Sequence, residues 1–238
     1  MGGLKVDKTY LVRKYEAGGD PACVSSGAGD LGGVSYGIYQ LASNTGAVEA
    51  FREWACDYPD DDLANYGRLL CEFEINSDKF KKLWRAIGEN DPEGFAKLQD
   101  DYAVSVYYKP AAAALLSEGG YDVETKSEAM QAVLMSRAVQ YGAGNMTELY
   151  TEAVHTMFNS ARKDYSGWPN LTYVNDKRFD YDLTAAIYDF LVSEADHATW
   201  NGRRLHSPKD WVNGSADVVA GLRNRFVHEK ADALEAMA

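Results

Sequence analysis

The sequence predicts a mainly α fold with one small β-hairpin near the N-terminus, and three observations carry that prediction. Apolar residues recur at helical spacing through most of the chain. Residues that cap helices stand at the start of those runs and glycines at their ends. Only one short stretch, V-S-Y-G-I-Y-Q at residues 34–40, is rich in β-branched and aromatic types with glycines before it. The chain has 238 residues, 46% hydrophobic and 25% charged, which is ordinary globular material. Surface scaling at this size lets about 72% of the unfolded surface be buried. A single domain spanning residues 1–238 is therefore expected, with two smaller ones as the second choice.

Taken in order, Asp7 caps a short helix carrying Tyr10, Leu11 and Tyr15, and Gly18-Gly19 ends it. The hairpin segment follows. Ser77-Asp78 opens a helix with Phe80, Leu83, Trp84 and Ile87 on one face, which closes at Gly88. Pro92 suits a first helical turn, and Phe95, Leu98, Tyr102 and Val106 continue that helix to Pro110. Thr125-Lys126-Ser127-Glu128 has the capping-box pattern before Met130, Val133, Leu134, Ala138 and Tyr141. Further helices are expected over 146–162, 182–195 and 215–237, with loops over 168–181 and 201–213.

Composition excludes several functions. With 24 basic and 36 acidic residues the net charge is −12, the wrong sign for a nucleic-acid binder or a basic membrane-surface protein. No apolar run approaches the roughly 20 residues of a membrane span, and the first residues carry no secretory h-region. The expectation is a protein made in the cytoplasm that reaches a bacterial cell wall by phage-type release or delivery. Cys23, Cys56 and Cys71 form no C-x-x-C, so they are read as free thiols with one disulfide left open. The four histidines show no H-E-x-x-H, and Asp57, Asp60, Asp61 and Asp62 lack calcium-loop spacing. Neither a metal nor a cofactor is expected.

Gly27-Ala28-Gly29-Asp30-Leu31-Gly32 matches G-x-G-x-x-G, with Glu49 near the distance of a ribose-binding acid. A dinucleotide fingerprint follows a strand and opens a helix. Here a helix precedes and a strand follows, so the nucleotide reading is set aside. Glu16 stands in the last turn before Gly18-Gly19, where the helix dipole and shielding by Tyr15 and Tyr36 both disfavour the ionised form. A carboxyl held protonated near neutral pH suits a general acid for glycosidic cleavage. A solvated glutamate at a helix end is the plainer alternative.

Tyr15-Glu16-x-x-Gly19-Asp20-Pro21, followed by Ser35-Tyr36-Gly37-x-Tyr39-Gln40, resembles the lysozyme-like superfamily of goose-type lysozymes, lytic transglycosylases and chitosanases, and within it phage or prophage peptidoglycan hydrolases. Ser136-Arg137-Ala138-Val139-Gln140-Tyr141-Gly142 and Arg225-Phe226-Val227-x-Glu229-x-x-Asp232-Ala233-Leu234 resemble later segments of the same group. The resemblance implies a lysozyme-like α+β domain with the hairpin beside an active-site groove. It implies Glu16 as catalytic acid and Asp30, in the loop before the hairpin, as the residue that activates water in inverting members. The implied partner is the peptidoglycan glycan strand or a related amino-sugar polymer, in an endolysin, phage-tail or holin context. Asp20 can equally start a turn through its Asp-Pro pair.

Strand alternation would put Ser35, Gly37 and Tyr39 on one face of the hairpin and Tyr36, Ile38 and Gln40 on the other. Ser35 could hold water or an N-acetyl group, and Gly37 would let a sugar approach the backbone. Gln40 resembles the glutamine of a Gly-x-x-Gln motif. Tyr outnumbers Phe sixteen to eight, which suits a glycan groove as well as core edges. Tyr107, Tyr108, Gln140 and Tyr141, at helix ends beside Pro or Gly, are the further groove candidates. The expected function is a glycoside-cleaving cell-wall hydrolase or lytic transglycosylase. Two alternatives are a chitosanase- or chitinase-like glycosidase and a non-catalytic wall-binding or tail structural module.

Overall fold

Asp7 opens the first helix, its carboxylate accepting from the Thr9 amide at 2.9 Å and the Thr9 hydroxyl at 2.8 Å. That helix, α1, runs Tyr10–Tyr15. The computed structural model describes residues 6–15, 19–27, 32–158 and 169–238. The mainly helical class is confirmed, with a two-stranded antiparallel sheet near the N-terminus. The chain divides into two compact units, residues 12–106 and residues 1–11 with 107–238.

In the 12–106 unit, β1 (Ser35–Tyr36) pairs antiparallel with β2 (Leu41–Ala42), placing Ser35 opposite Ala42 and Tyr36 opposite Leu41. Strand structure covers only two residues of the V-S-Y-G-I-Y-Q run, because Gly37 at φ 67° and Gln40 at φ 50° bend it into a turn. The expected alternation of faces therefore does not extend past Tyr36. Four helices follow: α2 (Ala47–Cys56), α3 (Asp61–Cys71), α4 (Asp78–Asn90) and α5 (Pro92–Ala103). Ser77 caps α4 through its bond from the Phe80 amide, and Asp91 caps α5 from Gly94. Asp60, within the acidic cluster, caps α3 from Asp62 and Leu63. The core is aromatic. Trp84 has Tyr36 at 5.1 Å, Phe51 at 5.4 Å and Phe95 at 4.9 Å, and Tyr102 packs edge-on to Phe51 at 5.3 Å.

The boundary between the units falls in a π-helical segment, Val104–Tyr108. Pro110 does not end the helical path, because it occupies the first turn of α6 (Lys109–Gly119), where no amide donor is needed. Next come α7 (Glu128–Tyr141), α8 (Met146–Met157), α9 (Asp180–Asp196) and α10 (Ala216–Glu235). The α7 cap is Ser127, bonded from the Met130 amide, rather than Thr125. The expected loop over 201–213 contributes to a second sheet of three short antiparallel strands, β3 (Thr199–Trp200), β4 (Leu205–His206) and β5 (Asn213–Gly214). Among the described residues the fold thus has two small β-sheets where the sequence predicted one β element.

A charged cluster lies inside this second unit. Arg137 of α7 and Glu229 of α10 are both fully buried and meet at 2.5 Å. Arg137 also donates to the Ser136 hydroxyl at 3.0 Å, which donates in turn to Glu229, and Arg225 reaches the same carboxylate at 3.3 Å. The guanidinium lies over the rings of Tyr188 and Phe226. Burial alone would lower the Arg137 pKa, but the Glu229 carboxylate overrides that and holds it above its ordinary range.

Candidate functional site

Glu16 and Asp30, the expected acid and water-activating pair, lie outside the described residues, as does the centre of the G-x-G-x-x-G segment. Helix α1 up to Tyr15, the chain from Gly19 to Gly27 and the hairpin are described, and buried polar side chains hold parts of each in place. Arg13, in the last turn of α1, donates through Nε to Asp100 at 2.9 Å and again through Nη2. Asp100, only 4% exposed, also accepts the Tyr39 hydroxyl at 2.7 Å. One carboxylate of α5 therefore ties the helix that leads to Glu16 to the turn after β1. A guanidinium and a phenol on one buried carboxylate satisfy its lone pairs and offset the cost of burying it.

A second clamp involves Gln99, one residue earlier on α5. Its side-chain oxygen accepts the Ile38 amide at 2.9 Å, and its nitrogen donates to the Pro21 carbonyl at 3.0 Å. Trp84 Nε1 donates to the same carbonyl at 2.9 Å. The Asp20-Pro21 turn and the hairpin turn are thus joined through side chains from α4 and α5. Gly37 is required here, because a Cβ would lie 2.2 Å from the Gln99 oxygen and its φ is positive. Asp20 accepts the Ala22 amide at 2.9 Å, an Asx turn, so in this structure its carboxylate shapes the chain.

The hairpin candidates are brought together in the 12–106 unit, mostly facing inward. The Ser35 amide donates to Ser25 Oγ at 2.8 Å, and the residue is buried. Tyr36 is fully buried and donates its hydroxyl to Asn76 at 3.0 Å; burial raises its pKa. Tyr39 is buried on Asp100. The Gln40 amide nitrogen closes the turn onto the Gly37 carbonyl at 3.0 Å.

The 107–238 candidates separate into two groups. Tyr108 is buried, with Lys8 4.2 Å above its ring, and Tyr107 carries a phenol raised by burial. Gln140 and Tyr141 end α7, both half-buried. Tyr141 meets Trp211 edge-on at 5.2 Å, and burial pushes its phenol up to about 12. Tyr141 and Trp211 line a pocket of about 160 Å³ with Asn145, Glu148, Lys209 and Asp210. Sequence reasoning missed Gln99, Asp100 and Trp211. Buried amides and carboxylates inside a helical pattern give no local signal of what they clamp, and Trp211 sat in an expected loop. Among the described residues no cluster of His, Cys, Asp or Glu could hold a metal ion.

Comparison with known proteins gives a family. The domain described as "Type VI secretion system spike protein VgrG3-like, C-terminal" matches residues 9–230. The type VI secretion system spike protein VgrG3 of Vibrio cholerae serotype O1 is 25% identical over 225 residues, covering 93% of this chain and 18% of that protein. The chain therefore spans less than a fifth of the curated relative it matches, and it belongs to the VgrG3-like C-terminal family.

That membership corrects three sequence expectations. The family found is a secretion-spike domain, not the lysozyme-like superfamily that the Y-E-x-x-G-D-P and S-Y-G-x-Y-Q segments resembled. Neither description names a hydrolase, so the glycoside-cleaving cell-wall hydrolase gives way to the structural-module alternative. The endolysin and bacteriophage setting gives way to a secretion system. The physical reason lies in the scale of the motif. Short segments of this kind encode a helix end, a turn and a hairpin, and those elements do not specify the chemistry or the carrier.

Proposed function

We propose, starting from membership in the VgrG3-like C-terminal family, that this chain is a terminal module of a type VI secretion spike, carried with the spike and contacting the amino-sugar polymer of a bacterial wall. The observation that supports the reading is the extent of the match, residues 9–230, to a domain described as the C-terminal part of such a spike. No helix among the described residues is long and apolar enough to cross a membrane.

The test has two parts. A tagged copy at its native locus should reach the medium of cells with an intact type VI apparatus and stay in cells lacking one; equal release from both would overturn the carriage. The purified chain should sediment with isolated sacculi, and a chain left in the supernatant would overturn the wall contact. Enzymatic turnover is a separate expectation resting on Glu16, and the same incubation reads it. Soluble glycan released by the chain and lost in Glu16→Gln would add catalysis to the module, and its absence would leave a structural part.

A further inference from the structure

Two of the three cysteines face each other across a helical hairpin. Cys56 ends α2 and Cys71 ends α3, and their sulfurs are 3.5 Å apart. Both are free thiols, Cys56 half-buried with its Sγ also near the Arg52 carbonyl at 3.2 Å, and Cys71 exposed. Sequence spacing alone could not select this pair, because three cysteines allow three pairings.

A second observation explains the approach. Gly67 of α3 lies directly against the end of α2. A Cβ there would stand 2.6 Å from the Ala55 carbonyl carbon and the Cys56 amide nitrogen. Cys71 follows Gly67 by four residues, so it sits one turn further along the same face of α3. The contact at Gly67 therefore sets the two helix ends at the separation that brings the sulfurs together. The short link between the helices, capped by Asp60, fixes their register.

We propose that Cys56 and Cys71 are a disulfide-forming pair, oxidised to a covalent link between the ends of α2 and α3 when the chain meets a small-molecule or protein disulfide. In the first step the thiolate of exposed Cys71 attacks one sulfur of the donor disulfide, expelling a thiolate and leaving a mixed disulfide. Cys56 then attacks the Cys71 sulfur and displaces the second thiol. Two cysteine thiols become one disulfide while one donor disulfide becomes two thiols, so two electrons and two protons pass to the donor. The sulfurs at 3.5 Å need close by only about 1.5 Å to reach the covalent distance of about 2 Å. Burial and the neighbouring Cys56 sulfur push the Cys71 thiol up to about 11, so uncatalysed exchange is slow at neutral pH. The link would close a loop from residue 56 to 71 and restrict the unfolded chain. The inference does not depend on the spike reading. It would hold for this chain in any oxidising compartment.

The experiment uses the full chain and glutathione disulfide at mildly alkaline pH. The expected product is lighter by two hydrogen atoms, with one titratable thiol left of the three in the sequence and a peptide joining residues 56 and 71. Its Tm should rise by roughly 5 °C and fall back with a dithiol reductant. Cys71→Ser and Cys56→Ser should each show no such mass loss and no Tm rise, whereas Cys23→Ser should behave as the parent. Three thiols remaining, separate glutathione adducts on both sulfurs, or a link through Cys23 would each overturn the proposal. Because the readout on the parent chain is covalent, it stands even where a serine variant folds poorly.

Discussion

The 12–106 unit and the unit formed by 1–11 with 107–238 differ in the polar chemistry they bury at their centres. The first surrounds its polar clamps with an edge-to-face aromatic core. Gln99 holds irregular backbone at Ile38 and Pro21, and Asp100 beside it holds the Arg13 and Tyr39 side chains. The second buries an ion pair, Arg137 with Glu229, between two long helices whose backbones satisfy themselves. A unit with a two-stranded sheet and tight turns has amides and carbonyls that need partners, and neutral amides supply them cheaply. The second unit also holds backbone with buried carboxylates, Asp180 on the Ser127 amide at 2.7 Å and Glu194 on the Lys209 amide at 2.9 Å, and adds a buried charge pair that registers one helix against another at an energetic cost.

Alkaline titration should separate the units most strongly. Burial raises the pKa of Tyr107, Tyr108, Tyr121, Tyr141, Tyr150 and Tyr188 in the second unit, against Tyr36, Tyr58 and Tyr66 in the first. The unfolded phenols ionise near pH 10 while the folded ones keep their protons. Above that pH the unfolded state therefore binds fewer protons, and stability falls as pH rises. The contribution is complete below about pH 10 and is lost through the folded values, about 12 for Tyr66 and Tyr141. Each well-buried phenol adds a slope of about 1.4 kcal/mol per pH unit in that window. Hydroxyl-radical footprinting between pH 9 and 12 should show 107–238 opening first. Simultaneous opening would erase the distinction between the units.

Removing one half of the buried pair comes next. Arg137→Met leaves Glu229 without its closest cation and should cost about 3–5 kcal/mol in urea denaturation. The double variant Arg137→Met with Glu229→Leu should recover most of that loss. A double variant as unstable as the single would show that the cluster acts through packing rather than charge.

These clusters mark what the sequence could and could not say. The helix starts at Ser77 and Pro92 were legible, and that of α7 to within two residues, because a cap is a local bond from a side chain to an amide two or three residues on. The segments around Ser136-Arg137 and Arg225–Glu229 stood out, yet nothing local said that they pair across 92 residues. The hairpin was legible from its composition, but its length was not. Gly37 has no room for a side chain because Gln99, 61 residues away from Ile38, occupies that space. α2 and α3 were passed over; the acidic run at 57–62 was weighed for calcium-loop spacing, although Asp60 within it is a helix cap. Of the candidate site, the hairpin residues were found as a group, but their inward-facing bonds depend on α4 and α5 and carry no sequence signature.

Gly37→Ala tests the clamp in the first unit. The new methyl must displace the Gln99 oxygen from a buried site and hold a positive φ, which should cost about 2 kcal/mol. Adding Gln99→Ala should deepen the loss, because it strips partners from the Ile38 amide and the Pro21 carbonyl. A double variant no worse than Gly37→Ala alone would mean that neither bond contributes. The expected deeper loss is the reverse of the pattern for the Arg137–Glu229 pair, where deleting both partners helps.

The smallest effect calibrates the rest. Arg68 and Asp61 on α3 form the same chemical pair as Arg137 and Glu229, at 2.7 Å, but with side chains 49% and 87% exposed. Water already solvates both charges, and salt screens their attraction. Asp61→Asn also removes a negative charge from the first turn of α3, where the helix dipole favours it. The two losses together should stay within about 0.5–1 kcal/mol and shrink in high salt, whereas the Arg137→Met loss should barely respond to salt. An Asp61→Asn cost near that of Arg137→Met would show that distance sets the worth of these pairs. A small, salt-sensitive cost assigns it to burial, the property in which the two pairs differ.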